Sequence, residues 1–102
     1  MKNKIEGYWY SEYEKQYPKP IPNTIDISIK QQFIEKLKKI QLHAHEVAYM
    51  GSSKCRLCDI CNGSTEFNHK GWIWPIGYLH YIETHNVSPS KDFINFVINI
   101  KV

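Results

Sequence analysis

Cys55-Arg-Leu-Cys58 and the later stretch His80-Tyr-Ile-Glu-Thr-His85 are the part of the sequence that decides the fold. Two cysteines three positions apart can bind one metal ion from a tight turn, and two histidines can complete a tetrahedral shell. Zn²⁺ suits this mixed set of sulfur and nitrogen ligands. The sequence therefore predicts one structural Zn²⁺ site. The four predicted ligands are Cys55, Cys58, His80 and His85.

The composition is that of one small globular domain. The chain has 102 residues, of which 42% are hydrophobic and 23% charged, and this balance allows a packed core. Its three cysteines lie within seven positions, and an odd number so close together suits a metal site in a reducing compartment better than a disulfide framework. No apolar run approaches the roughly 18 residues of a membrane helix, and the first residues lack the apolar stretch of a signal peptide. We therefore predict a cytoplasmic protein without a membrane segment.

The spacing of apolar residues predicts the main helices. Ser28, with Gln31 three positions later, has the spacing of a capping box, and an apolar face then predicts a helix over 28–49 that ends at Gly51. Pro75 can occupy the first turn of a second helix over 76–85, which Asn86 would end. The apolar face of the first helix comprises Ile29, Phe33, Leu37, Ile40, Ala44 and Val47, and that of the second comprises Ile76, Leu79 and Ile82.

Shorter segments complete the predicted fold. Trp72-Ile-Trp74 reads as a strand of a short hairpin, and Asn62-Gly63 is typical of a tight turn. Ser88-Pro89 can begin a third helix with Phe93, Phe96 and Val97 inward, although residues 96–102 also alternate like a strand. Aromatic residues and prolines predict an extended N-terminal arm that packs on the domain.

Together these segments predict a single α+β domain over residues 1–102. An aromatic and proline-rich arm covers 1–25, and the long amphipathic helix covers 28–49. Residues 52–87 hold the knuckle (the turn that carries the two ligand cysteines), the hairpin and the zinc-bearing helix, and 88–102 form the C-terminal segment. The long helix is expected to pack on the hairpin and the zinc-bearing helix. Such an arrangement is treble-clef-like or zinc-finger-like.

The histidine ligands depend on where their helix ends. A step of five residues rotates by about 140° on an ideal helix, so both rings can reach one ion only if His85 lies in the last turn. Cys61 and His69 are competing ligands, and either could replace a histidine of the predicted set. The three cysteines also have the spacing of a partial iron–sulfur motif, but Thr65 stands where the fourth cysteine would be. Zinc is the predicted metal, and iron stays open as the alternative.

His43 and His45 are not expected to bind a metal together. On a helix, a step of two residues rotates by about 200°, so their side chains point apart. His43-Ala-His45 followed by two cysteines is reminiscent of a zinc deaminase, but that signature requires a glutamate where His45 stands.

Several motifs taken together resemble a family of small bacterial proteins of unknown function. The shared pattern is CRxC, then NGSxE, then WxWPxGYxHYIxxHxVxPS, and here it covers residues 55–90. Gly7-Tyr-Trp9 is similar to the family's N-terminal end. The resemblance implies a compact domain with a metal site on the two cysteines and two histidines already named, and it implies no activity.

Three functions follow as hypotheses, of which the first is favoured. A closed four-ligand zinc site suits a non-catalytic module that binds another protein, with Trp9, Trp72 or Trp74 as candidate contacts. The second is nucleic-acid binding, which the net charge of +3 permits but does not require. The third is a metal-dependent hydrolase with Glu83 or Glu66 as general base. Phosphate contacts for the second could come from Lys36, Lys38, Lys39, Lys54, Arg56 and Lys70.

Overall fold

The computed structural model describes residues 4–11, 14–48 and 54–101, which form an α+β domain. This confirms the α+β class of the predicted fold. Four strands form one mixed sheet in the order β1-β4-β3-β2, in which β1 runs parallel to β4 and the other neighbours are antiparallel. The elements in chain order are β1 (Lys4–Ile5), α1 (Ile27–Gln41), β2 (His45–Ala48), β3 (Thr65–His69), β4 (Trp72–Pro75), α2 (Tyr78–His85) and α3 (Lys91–Asn99).

The core lies between the helices and the aromatic face of the sheet. Phe33 and Leu37 of α1 are fully buried, as are Trp74 of β4 and Phe93 of α3. Phe93 is the centre of this aromatic packing, with ring centroids 5.5 Å from Trp74 and 6.0 Å from Phe33. Trp72 stacks on Phe96 and packs at a tilt against Phe93. The apolar face predicted for the first helix is therefore correct through Ile40, which is also fully buried.

The predicted helix over 28–49 is wrong at both ends. Its N-cap is Asp26, whose carboxylate accepts hydrogen bonds from the backbone and side chain of Ser28. The helix ends at Gln41, and residues 45–48 leave it to form β2 because they can pair with four residues of β3. Ala44 and Val47 keep helical spacing in the sequence, but Ala44 lies in the bend before β2 and Val47 pairs with Glu66 in the sheet. Gly51, the predicted end, lies outside the described residues.

The hairpin turns at Lys70 and Gly71 rather than at Asn62-Gly63. Both turn residues have positive φ, 49° and 87°, which is the conformation that two-residue hairpin turns require. Asn62-Gly63 instead lies in the loop between the knuckle and β3, where Gly63 has a φ of 91°.

The second helix begins two residues later than predicted. Pro75 is the last residue of β4, where it pairs with Glu66, and α2 starts at Tyr78. Ile76, predicted to be buried, precedes the helix and is exposed, whereas Tyr78 and Tyr81 are buried. The tyrosines take this place because their side of the helix faces the core and the knuckle.

The C-terminal segment is helical through Asn99, with Ser90 rather than Ser88 as its N-cap. The buried carboxylate of Glu6 joins this cap to the N-terminal arm. It accepts hydrogen bonds from the Tyr78 hydroxyl at 2.5 Å and from the Ser90 backbone and hydroxyl at 2.8 and 2.9 Å. No helix in the part of the chain that the structure describes is long and apolar enough to cross a membrane. Val102 lies outside that part.

Candidate metal centre

The structure brings the four predicted side chains together at one place. One ligand atom from each of Cys55, Cys58, His80 and His85 lies within 4.8 Å of the other three. The Cys58 sulfur is 3.3 Å from His80 Nε2. Zinc bonds of about 2.3 Å to sulfur and 2.0 Å to nitrogen would separate the corners of a tetrahedron by about 3.3–3.8 Å. Only small movements of these side chains separate the observed arrangement from that of a bound ion.

The knuckle presents its sulfurs through hydrogen bonds of its own backbone. The Cys55 N–H donates to the Ile60 carbonyl at 2.9 Å, and the Asp59 N–H donates to the Cys55 carbonyl at 2.9 Å. The Leu57 N–H points at the Cys55 sulfur, 3.4 Å away. Asp59 adopts a left-handed conformation, φ 60°, so the chain reverses immediately after Cys58. The turn therefore directs both thiols towards α2.

The end of α2 brings the rings of His80 and His85 close together despite their five-residue spacing. The helix ends at His85, and Asn86 follows in a left-handed conformation with φ 56° and ψ 38°. The Val87 N–H then closes the helix by donating to the Tyr81 carbonyl at 3.1 Å. The rings of His80 and His85 lie 5.1 Å apart and nearly perpendicular. The prediction that His85 lies in the last turn is confirmed.

The loop before α1 holds this helix end in place. The backbone N–H groups of Asn23 and Thr24 donate to the carbonyls of His85 and Asn86 at 3.0 and 2.9 Å. Lys30 of α1 donates from Nζ to Asn86 Oδ1 at 2.5 Å, where a positive charge also favours the carbonyl end of a helix. The position of His85 thus depends on residues far away in the sequence.

The second nitrogen of each histidine gives further information. His80 Nε2 faces Cys58, and Nδ1 lies 3.3 Å from the Thr84 hydroxyl, an arrangement that orients the ring. His85 Nε2 is buried and has no hydrogen-bond partner among residues 4–11, 14–48 and 54–101. A buried nitrogen without a partner costs about 1–3 kcal/mol, and a metal ion would supply the missing interaction. Two thiolates and two neutral imidazoles would balance the charge of a divalent ion.

The two thiols differ in exposure. Cys55 is fully buried, whereas Cys58 is exposed. The Ile60 backbone N–H lowers the pKa of the Cys58 thiol, but desolvation and the neighbouring Cys55 outweigh it and raise that pKa overall. A bound divalent cation would reverse this balance because a coordinating thiol is deprotonated.

Tyr81 belongs to α2 and contacts the knuckle, and no sequence pattern had identified it. Its hydroxyl accepts the Arg56 backbone N–H at 2.7 Å, and its ring packs edge-on against Trp9 with centroids 5.6 Å apart. Burial is the main cause that raises the pKa of Tyr81 to about 12. It forms a small apolar cluster with Cys55 and Val87. Its position directly after His80 is the only sequence signal that could have identified it.

The competing ligands lie outside this group. Cys61 is exposed, and its backbone forms an isolated antiparallel β-bridge with Lys54 at the base of the knuckle. His69 pairs with Trp72 in the hairpin, and neither residue belongs to the group of converging ligand atoms. Partial burial, together with the charges of Lys70 and His43, lowers the pKa of His69. His43 and His45 are exposed and also outside the group.

Comparisons with protein-family models, with curated proteins and with solved structures give no match to this chain. The interpretation of the site therefore depends on its own geometry.

Proposed function

We propose that this chain is a non-catalytic zinc module that binds another protein. The convergence of four ligand atoms within 4.8 Å, from the knuckle and the end of α2, carries the proposal. Two sulfur and two nitrogen ligands in a tetrahedral arrangement are typical of Zn²⁺, whereas iron in a comparable site is usually held by four cysteines.

A structural role is favoured over catalysis because the protein itself supplies all four ligands. A hydrolytic zinc site keeps one position for water and needs a general base beside it. Glu83 pairs instead with Lys38 on α1, 3.5 Å away, and Glu66 hydrogen-bonds to the Tyr8 hydroxyl on the N-terminal arm. Neither carboxylate belongs to the group of converging ligand atoms.

Protein binding is favoured over nucleic-acid binding because several basic side chains already bond to groups within the protein. Lys36 donates to the Ile98 carbonyl at the end of α3, and Lys38 pairs with Glu83. The Arg56 guanidinium donates to the carbonyls of Tyr10 and Lys54 at 3.1 and 2.6 Å. Three of the six candidate phosphate contacts are thus engaged within the protein, and they lie on different elements of the described residues.

The apolar surface of the knuckle supplies candidate protein contacts. Leu57 and Ile60 flank Cys58 and are 37% and 55% exposed. The aromatic contacts expected from the sequence are less suitable, because Trp72 and Trp74 are in the core and Trp9 packs on Tyr81. An exposed apolar pair on a metal-stapled turn is a rigid contact surface, which lowers the entropy lost on binding.

Elemental analysis of the purified protein tests the metal. We expect one zinc per chain, with a large reduction in the Cys58→Ser variant. Cobalt substitution then tests the closed shell: the absorption spectrum of a four-ligand site should not change when azide or cyanate is added. Zinc below about 0.1 per chain, or a spectrum that shifts with anions, would contradict the proposal.

A pair of matched variants tests the contact surface. Leu57→Ser with Ile60→Ser should reduce capture of a specific protein from an extract of the source organism, while zinc content stays unchanged. Leu42→Ser is the control, because Leu42 is 83% exposed and follows α1 outside the knuckle. Equal capture by the wild type, the double variant and the control would contradict protein binding through the knuckle. Salt-sensitive retention on DNA or RNA would also contradict it.

A further inference from the structure

Tyr81 contacts the metal centre through atoms that do not themselves bind the ion. Its hydroxyl oxygen accepts the Arg56 N–H at 2.7 Å, so one lone pair is already used. The hydroxyl still has a proton to donate, and Cys55 packs with Tyr81 in the same buried cluster. A metal-bound thiolate retains lone pairs that accept hydrogen bonds. The O–H of Tyr81 is therefore available to donate to Cys55.

The contacts of Cys55 differ from those of its partner cysteine. Its sulfur already faces the Leu57 N–H at 3.4 Å, and the fully buried side chain lies in the apolar cluster with Tyr81 and Val87. Hydrogen bonds to a thiolate are strong in such surroundings because water does not compete for the sulfur. Cys58 is exposed and close to His80 instead.

We propose that Tyr81 is a positioning residue for the metal centre, whose hydroxyl bridges the Arg56 N–H and the Cys55 thiolate and holds the knuckle against α2. The inference rests on the proposed zinc function. Groups that hydrogen-bond to metal ligands typically change metal affinity by about 10–100-fold when they are removed. The hydroxyl would thus set both the affinity of the site and the electron density on one of its sulfurs.

The Tyr81→Phe variant isolates this effect because it removes only the hydroxyl. The ring keeps its packing on Trp9 and its place in the cluster with Val87. We expect its zinc affinity, measured by competition with a chromophoric chelator, to fall by about 10–100-fold. In the cobalt protein, the sulfur-to-cobalt charge-transfer band should move to lower energy because the thiolate loses a hydrogen-bond donor.

Tyr78→Phe is the matched control on the same helix. Its hydroxyl bonds to Glu6 and not to the knuckle, so this variant should lose stability while the folded protein keeps its zinc affinity and cobalt spectrum. Incorporation of 3-fluorotyrosine at position 81 is the second variant. Its more acidic hydroxyl keeps the packing, strengthens the donor and should shift the band to higher energy.

The outcomes separate this inference from the proposed function. Wild-type protein that binds no zinc would overturn the proposed function and the inference together. Wild-type protein that binds zinc, with a Tyr81→Phe variant of unchanged affinity and unchanged cobalt spectrum, would overturn the inference alone. If Tyr81→Phe does not fold, an unshifted charge-transfer band in the fluorotyrosine protein would likewise overturn the inference alone.

Discussion

Lys30 and Asn86 join the longest helix to the end of the histidine-bearing helix. The lysine Nζ lies 2.5 Å from Asn86 Oδ1 and 3.3 Å from the Glu83 carbonyl. Asn86 immediately follows His85, so this contact holds the last turn of α2 on which the ligand geometry depends. A residue of α1 therefore helps to position the candidate metal centre without belonging to it.

Replacing Lys30 by methionine should lower the free energy of unfolding by about 1 kcal/mol, because a charged donor at the carbonyl end of α2 is lost. Lys38→Met is the control. Its pair with Glu83 is exposed, so its loss should change stability by less than about 0.5 kcal/mol. Urea unfolding of the zinc-loaded proteins measures both values. Equal effects of the two variants would argue against a role for Lys30 at the helix end.

The Cys58→Ser and Cys61→Ser variants should differ greatly in stability. Structural zinc contributes about 10–16 kcal/mol of apparent binding energy in finger peptides, comparable to the whole stability of many domains. Cys58→Ser should therefore remove most of the folded protein, whereas Cys61→Ser, on an exposed residue outside the ligand group, should change stability by less than about 0.5 kcal/mol. Circular dichroism with and without a chelator gives the comparison. A severe Cys61→Ser defect beside a mild Cys58→Ser defect would mean that the ligand set is wrong.

Gly77 should be intolerant of even a methyl group. A Cβ built there would lie 2.5 Å from Asn62 Cβ and 2.8 Å from the Asn62 backbone oxygen. Gly77→Ala should therefore displace the loop between the knuckle and β3 and lower the free energy of unfolding by about 1–3 kcal/mol. Gly71→Ala meets no atom within 4 Å, and its cost of about 1 kcal/mol should come from the positive φ alone. Zinc affinity should fall only in Gly77→Ala, and chelator competition measures it.

Stability should fall at alkaline pH because of Tyr78. Burial, and then the adjacent Glu6 carboxylate, hold the pKa of Tyr78 well above its usual value of 10. Above pH 10 the unfolded chain releases this proton while the folded chain keeps it, so folding is progressively disfavoured. The loss approaches about 1.4 kcal/mol per pH unit for one tyrosine. Urea unfolding between pH 9 and about 11 should show a shallower decline in Tyr78→Phe, and parallel declines would contradict this assignment.

The convergence of the four candidate ligands was predictable because its signal is local. The spacing of Cys55 and Cys58, and the ability of Asn86 to end a helix behind His85, are properties of a few neighbouring residues. The α+β class and the buried face through Phe33, Leu37 and Ile40 followed from periodicity in the same way.

The errors arose where distant residues decide the conformation. Val47 has the spacing of a helix but pairs with Glu66 in the sheet, a partner that no local pattern identifies. The contact of Tyr81 with the knuckle likewise depends on Arg56, 25 positions earlier in the sequence. Ile76 was expected to be buried because it is apolar, yet the chain turns between β4 and α2 at that point and leaves it exposed.

The parallel pairing of β1 with β4 determines when the fold can be completed during synthesis. Lys4 pairs with Trp72, and Glu6 bonds to Ser90, which is 84 residues away in the chain. Residues through Ile73 must therefore leave the ribosome before β1 can pair with β4, and residues through Ser90 before the bond to Glu6 can form. Contacts between such distant residues slow folding, because a long loop must close before they form.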